Sequence, residues 1–325
     1  MATRCMWCGA DLKVGHKSDC KYIKDSNESV DACGNVLITH NDLDGAGCSI
    51  IFTKITNSKH VFYEDYTTID NRIMSVINTN PNSIIIADIS PTKQETIDAI
   101  SASVRNGMNI VVIDHHKTAD ERIGYLPWAY IDQTVCGTKA LFYYLHNYYV
   151  NSYVNTHPEL SPFVDIVDDY DRWIHSNPNS MRMNTLFRVY GMETFVIRCI
   201  ERTQPQYFNA IDELLIDIRT LEEETYAVNA IKCSEIWDSA HGRVCIVFAE
   251  RQQSLIGERC RSNNIDCDYV AIVDLHGRKV SLRSVKKGFD VCSIAKLSGG
   301  GGHVASAGFE IPYNDVMKVV EAMWL

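Results

Sequence analysis

The sequence contains no run of about 20 apolar residues, so nothing in it predicts a membrane-spanning helix. Its opening, MATRCMWCGADLK, has no apolar signal core, and the expectation is a protein that stays in the cytoplasm. Positive charge is also short: 31 Lys and Arg stand against 41 Asp and Glu, for a net charge of −10. A protein that grips a long duplex through many phosphates carries a basic face, so the deficit favours a short or small phosphorylated substrate. Acidic metal ligands weaken that argument, because they inflate the negative count and bound cations offset them. No internal repeat or low-complexity segment is present. Cysteine is not scarce, at 12 residues, but a reducing compartment makes a disulfide framework a poor explanation for them. Cys48, Cys136 and Cys245 sit in apolar surroundings and are expected to be small buried residues, leaving a clustered subset to bind metal.

What is there suits a globular protein of two ordinary domains: 325 residues, 46% hydrophobic and 22% charged. Residues 1–30 stand apart. Cys5, Cys8, His16 and Cys20 offer four soft ligands with a Cys-x2-Cys start, enough for tetrahedral structural Zn2+ in a segment too short to build a core. The spacing matches no named zinc-finger class. Lys24 to Glu28 (KDSNE) reads as a linker.

From Asn35 the pattern alternates. Val36 to Thr39, Ser83 to Ala87 and Asn109 to Ile113 are short β-branched runs, read as strands buried on both faces of a parallel sheet. Ile97, Ile100 and Val104 share one helical face between the last two, so βαβ units are expected. In such sheets sites form at the carboxyl ends of the strands. Each run ends on an acid or a histidine: His40, Asp88 and Asp114. Glu193 to Trp237 reads as helical, with Leu214, Ile218, Leu221, Val228 and Ile231 as a core-facing stripe. A second α/β pattern follows, with strands at Val244 to Phe248, Tyr269 to Val273 and Lys279 to Arg283. A short helix is expected at Asp290 to Leu297, a glycine loop at Gly299 to His303 and an amphipathic stretch at Val316 to Met323.

The chemistry concentrates at the strand ends. His40, Asp42 and Asp44 alternate, which in an extended segment aims them one way, and Gly45 and Gly47 then allow a tight turn into a helix. With Asp88, Asp114, His115 and His116, seven acids and imidazoles converge from three strand ends. Any one of them alone would more often cap a loop. Together, unpaired carboxylates repel, and a bound cation is the natural balance. A mixed imidazole and carboxylate shell suits Mn2+, Fe2+, Co2+ or Zn2+ better than Mg2+.

THNDLDGAGCS, IIIADIS, VVIDHHKTA and GGGGHVASAGF, in that order, resemble the four signature segments of the DHH phosphoesterases and their associated C-terminal domain. The likeness runs from about residue 35 to the end, and within the family it is nearest the small oligoribonucleases. It implies an N-terminal α/β catalytic domain with a parallel sheet over 31–192, a helical linker over 193–240 and a smaller α/β substrate-binding domain over 241–325; the zinc segment and linker over 1–30 depart from that plain two-domain pattern. It implies a pair of Mn2+ ions. His40 and Asp42 would be ligands of one and Asp44 of the other, with Asp88 bridging. His115 is a further ligand, Asp114 holds the turn and His116 is the substrate-side acid. A last aspartate is expected from VDIVDDYDRW. Asp171 fits best, with Asp168 and Asp169 as alternatives otherwise read as solvated helix acids.

Gly301, Gly302 and His303, with Arg283 and Ser284, resemble the family's substrate-binding residues. The implied reaction is hydrolysis of short single-stranded RNA or a dinucleotide to mononucleotides. A cyclic or linear dinucleotide phosphodiesterase and a 3′-phosphoadenosine phosphate phosphatase are close alternatives, and a nucleic-acid or partner-binding adaptor is the non-enzymatic one. A homodimer is possible within the resemblance. Trp173, Tyr170 and Phe309 could stack a base, although each is more often a core residue.

Overall fold

A computed structural model of the chain describes residues 34–148, 158–315 and 317. The zinc reading of Cys5, Cys8, His16 and Cys20 and most of the stretch from Val316 to Met323 lie outside the described residues. The chain divides into two compact units, with the boundary between Ile216 and Asp217.

The first unit runs β1 (Asn35–His40), α1 (Leu43–Thr56), β2 (His60–Glu64), α2 (Ile69–Ile77), β3 (Ser83–Ala87), α3 (Gln94–Arg105), β4 (Asn109–Asp114), α4 (Lys117–Ile123), β5 (Ala129–Ile131), α5 (Gly137–Tyr148), α6 (Ser161–Asp171) and α7 (Ser180–Glu201), then enters α8 (Ala210–Lys232). The five strands form one sheet in the order β2-β1-β3-β4-β5, every pair parallel. Successive strand residues go to opposite faces. Val36, Ile38, Ile84 and Ile86 pack with Ile69, Ile73, Ile97 and Ile100 of α2 and α3. Leu37, Ile85 and Ala87 pack with α1, α5, α6 and α7, around Phe52, Phe163 and Phe195. Burial on both faces explains the unbroken apolar runs. Truncating one of these side chains, Ile86→Ala for example, should cost about 2–5 kcal/mol. Parallel strands need crossovers, and the helices on both faces supply them. The chain leaves β1 to one side for β2 and returns on its other side as β3. This is the switch point where open sheets leave a crevice at their carboxyl ends.

The second unit adds β6 (Glu235–Ser239), β7 (Gly242–Phe248), α9 (Gln253–Ser262), β8 (Tyr269–Asp274), β9 (Lys279–Ser284), α10 (Val291–Leu297), β10 (Gly301–His303) and β11 (Ser306–Glu310). Its sheet has the order β10-β11-β9-β8-β7-β6 and is mixed, with only β7 and β8 parallel. The expected strands and α10 are present. The expected glycine loop is in part a strand, because Gly301 to His303 pair with β11.

The helical stripe differs from expectation. Leu214 and Leu221 are 59% and 69% exposed, and Ile218 and Val228 are also exposed. Of the expected stripe Ile231 does pack, in the second unit; otherwise the neighbouring faces of α8 do so, through Leu215 and Ile216 in the first unit and Tyr226, Ala227 and Ala230 in the second. With apolar residues on two faces, periodicity alone could not say which was buried. The helical reading also overran: Glu235 to Trp237 lie in β6. Among the described residues no helix is long and apolar enough to cross a membrane.

Candidate metal centre

His40 ends β1, Asp88 follows β3, and Asp114 ends β4, so the carboxyl ends of three adjacent strands converge on one place. The extended backbone that the alternation predicts lasts only to Asp42, because the chain is helical from Leu43. Asp42 caps α1, accepting the Gly45 amide at 3.0 Å, and Asp44 lies in that helix's first turn. Gly45 and Gly47 are inside the helix rather than in a turn. Their value is close approach: a Cβ on Gly45 would sit 2.0 Å from the His40 carbonyl oxygen.

Asp44 reaches across to the start of α5. Its Oδ2 accepts the Gly137 amide at 2.6 Å, its Oδ1 the Thr138 amide at 2.7 Å, and the Thr138 hydroxyl donates to its carbonyl at 2.7 Å. A helix N-terminus is a favourable partner for a carboxylate. Gly137 must be glycine, because a Cβ there would lie 2.5 Å from that of Asp88. Asp88 itself has φ +62°, a left-handed backbone that aspartate tolerates better than most residues and that recurs at functional sites.

The Asp114-His115-His116 turn is fastened by one oxygen. Oδ1 of Asp114 accepts the amides of His115 at 2.7 Å and His116 at 3.2 Å, and pairs with His116 Nδ1 at 2.7 Å. That hydrogen bond raises the His116 pKa against the opposing effect of burial. Burial would push Asp114 up, but its partners hold it below the usual carboxylate range.

The last three acids of α6 separate by role. Asp171 lies 3.5 Å from His115 Nε2 and joins the centre. Asp168 accepts the Cys136 amide at 2.8 Å and pairs with Lys139 at 3.1 Å. Asp169 accepts the Ser176 amide at 2.9 Å and its hydroxyl at 2.6 Å. Both are buried structural acids, not the solvated ones expected.

Three groupings of donor atoms each fit within 4.8 Å: His40, Asp42 and Asp88; Asp44, His115 and Asp171; and Asp88, Asp114, His115 and His116. Asp88 also lies 3.3 Å from His115 Nε2. The electrostatics favour a bound cation. Burial, then Asp44 and Asp42, push the Asp88 carboxyl well above its ordinary value. The same causes push Asp171 up. Burial lowers His115, which favours the neutral imidazole a metal needs. Oδ2 of Asp88 and Nε2 of His115 are buried without a hydrogen-bond partner. Orphaned acceptors beside repelling carboxylates fit divalent metal ions, which would satisfy both.

Reasoning from sequence missed Tyr66. It lies over the centre, with ring centroids 5.6 Å from His40 and 6.4 Å from His116. Burial and the nearby carboxylates push its phenol up to about 12, so it keeps its proton. No local pattern marks it, since it lies in the loop after a short strand. Gly137 and Thr138 were also missed, although Cys-Gly-Thr before a helical stripe is a legible helix start.

In the second unit, Arg283 on β9, Ser306 on β11 and His303 on β10 are successive cross-strand partners. Directly opposed residues share a face of the sheet, so the three form a row. Arg283 is half-buried, its stem packed under Gly257, and has no acidic partner among the described residues. His303 is exposed. Ser284 is buried, and its hydroxyl donates to the Lys286 carbonyl at 2.7 Å. Gly301 and Gly302 lie on β10. Gly302, at φ +141°, has no room for a side chain, because a Cβ would lie 2.6 Å from Ala307 Cα.

Residues 35–166 match the family described as the DHH family, N-terminal domain. This segment is a DHH-family domain. Over 294 residues the chain is 28% identical to the oligoribonuclease NrnB of Bacillus subtilis, covering 85% of this chain and 72% of that protein. Its fold is similar to a pGpG-specific phosphodiesterase from Vibrio cholerae, with TM-score 0.54 and 14% identity over 89% of this chain and 97% of the other. It is similar as well to RecJ from Thermus thermophilus in complex with Mn2+, with TM-score 0.54 and 14% identity over 89% of this chain and 52% of the other. Three of the four segments that carry the resemblance lie within the matched residues; GGGGHVASAGF lies beyond them.

Proposed function

We propose that this chain is a Mn2+-dependent phosphodiesterase that hydrolyses short oligoribonucleotides to mononucleotides in the cytoplasm. The chain is a phosphoester hydrolase of the DHH type. The observation that carries the finer reading is the position of Asp88, within ligand distance of His40 and Asp42 on one side and 3.3 Å from His115 on the other. His40 and Asp42 would hold one ion, Asp44, His115 and Asp171 a second, and Asp88 both. Bound there, two divalent ions supply Lewis-acid activation of water and neutralise charge at the attacked phosphorus.

The chain's own groups do the rest. The Asp114 carboxylate fixes the tautomer and direction of His116 and favours its protonated form, so His116 can give a proton to the leaving oxygen. The neutral Tyr66 phenol is a hydrogen-bond donor at the mouth of the centre. Gly137 and Thr138 anchor Asp44 through the α5 N-terminus, so the ligand geometry is set before substrate arrives. In the second unit Arg283 and His303, with the bare backbone of Gly301 and Gly302, would take the substrate's terminal phosphate. The similarity to NrnB supports RNA oligomers as substrate. The likeness to a pGpG-specific phosphodiesterase keeps a linear dinucleotide as the second reading.

The test is hydrolysis in Mn2+ of RNA and DNA from two to 24 nucleotides, cyclic dinucleotides, phosphoadenosine phosphate and pyrophosphate. Preference for RNA of two to five nucleotides is expected. Turnover of a single dinucleotide alone would select the second reading, and turnover of none would favour an adaptor. Metal analysis of the purified protein tests the Zn2+ reading of Cys5, Cys8, His16 and Cys20, and sedimentation tests the dimer.

A further inference from the structure

The loop after Asp171 is built in an unusual way. Trp173 and His175 both have left-handed backbones, at φ +57° and +54°. Bulky residues avoid that region, and a fold keeps them there only where its surroundings over-determine it. Asp169 supplies the constraint. Its buried carboxylate accepts the Ser176 amide and hydroxyl, and its carbonyl accepts the amides of Ile174 at 3.0 Å and His175 at 3.3 Å.

The clamp holds aromatic rings outward. Trp173 is 63% exposed, although tryptophan is usually among the more buried residues. Its ring centroid lies 4.1 Å from that of His175, and Tyr170 stacks on the far partner at 6.2 Å and 14°. The three rings are therefore in mutual contact, and Tyr170 and Trp173 flank Asp171 in the sequence. Sequence reasoning had weighed Trp173 as a core residue, and its exposure removes that role. A single exposed aromatic needs no explanation. One held on a strained backbone, in a loop pinned by a buried carboxylate and two residues along the chain from a metal donor, does.

We propose that Trp173, backed by His175 and Tyr170, is a stacking platform for the nucleobase next to the scissile phosphate. The ligand class is a nucleoside phosphodiester, as opposed to pyrophosphate or a base-free phosphoester. The face of any base can stack, so the platform confers little preference among bases and a strong requirement for one. This proposal rests on the phosphodiesterase reading and names the part of the substrate that reading leaves open.

Two variants separate recognition from folding. Trp173→Gly removes the ring and relieves the left-handed backbone; Trp173→Phe keeps a ring. The substrates are the RNA dinucleotide ApA and its two analogues with one abasic residue, assayed with Mn2+. Trp173→Gly is expected to melt no lower than the unmutated protein, to raise KM for ApA by roughly tenfold and to leave kcat within about threefold. Trp173→Phe should recover most of the KM. One abasic analogue should bind the unmutated enzyme about tenfold more weakly, and that deficit should vanish in Trp173→Gly. An unchanged KM for ApA in Trp173→Gly, or equal losses on full and abasic substrates, overturns the platform. Calorimetric titration of the metal-free protein with AMP gives a readout independent of turnover. About tenfold weaker binding by Trp173→Gly supports the platform even if the unmutated protein hydrolyses none of the three, whereas equal affinity overturns it.

Discussion

The first unit buries two groups of carboxylates and treats them in opposite ways. Asp212 is fully buried and surrounded by donors: Arg198 at 2.6 Å, Arg202 at 2.7 Å, the Tyr190 hydroxyl at 2.8 Å and the Asn209 amide at 2.9 Å. Burial would raise its pKa, but these partners hold it well below the usual carboxylate range. Asp88 is 1% exposed and faces other acids, with an oxygen left unpaired. Its carboxyl is pushed the other way. Both sit in the same small fold at the same depth. A cluster whose task is folding closes its own charge. A cluster whose task is binding leaves the balance to be supplied from outside.

The sharpest way to break that contrast is to neutralise one carboxylate in each cluster. Asp88→Asn removes a shared metal donor and should lower kcat/KM by roughly 10^3–10^4-fold. It also removes like-charge repulsion, so the metal-free variant should melt no lower than the unmutated protein. Turnover within tenfold of normal, or a large drop in melting temperature in chelator, would sink the assignment. Asp212→Asn should give the reverse phenotype. It leaves two arginines without their counter-charge and should cost about 3–5 kcal/mol of stability, with kcat/KM little changed at a temperature where the variant stays folded. Chemical denaturation with a parallel activity assay reads both.

The same pair predicts a pH dependence. The folded pKa of Asp212 lies below its unfolded value, so its contribution is fully present above about pH 4 and is lost as pH falls further toward the folded value. Stability should drop on acidification below about pH 4, and Asp212→Asn should flatten that limb of the profile. A smaller effect comes from the ions. Mn2+ at about 100 times its dissociation constant should stabilise the unmutated protein by about 2.7 kcal/mol and leave Asp88→Asn nearly unmoved. Equal stabilisation of the two proteins would place the metal elsewhere.

The contrast also explains what could be read from sequence. The parallel sheet was legible because burial on both faces forces unbroken runs such as Ser83 to Ala87, and the centre was legible because those runs end on His40, Asp88 and Asp114. β2, with its mixed pattern, and the three residues of β5 carry no comparable signal, and β6 is an exposed edge strand. Asp171 could be favoured over Asp168 and Asp169 only by resemblance. All three lie on one turn of α6, and their roles depend on partners about 30 residues away for Asp168 and seven for Asp169. Tyr66 and the clamp on Trp173 are tertiary facts with no local pattern. The exposed stripe on α8 shows the opposite failure, where a clear pattern pointed to the wrong face.

The second unit tests whether the rule extends to a cation. Arg283 is half-buried with no acidic partner among the described residues, as Asp88 has a buried oxygen without a hydrogen-bond partner, and by the same reasoning its charge suits a ligand. Arg283→Lys keeps the charge but loses the fork that chelates a phosphate through two parallel bonds. Its stem also packs beneath Gly257, so lysine conserves that contact better than alanine would. The expected result is the smallest of the series: KM for a dinucleotide up by about three- to tenfold, kcat unchanged and melting within a degree or two. A fall in kcat with constant KM would place Arg283 with the reacting atoms. No change in either would make it a surface-strand arginine and confine the rule to the metal centre.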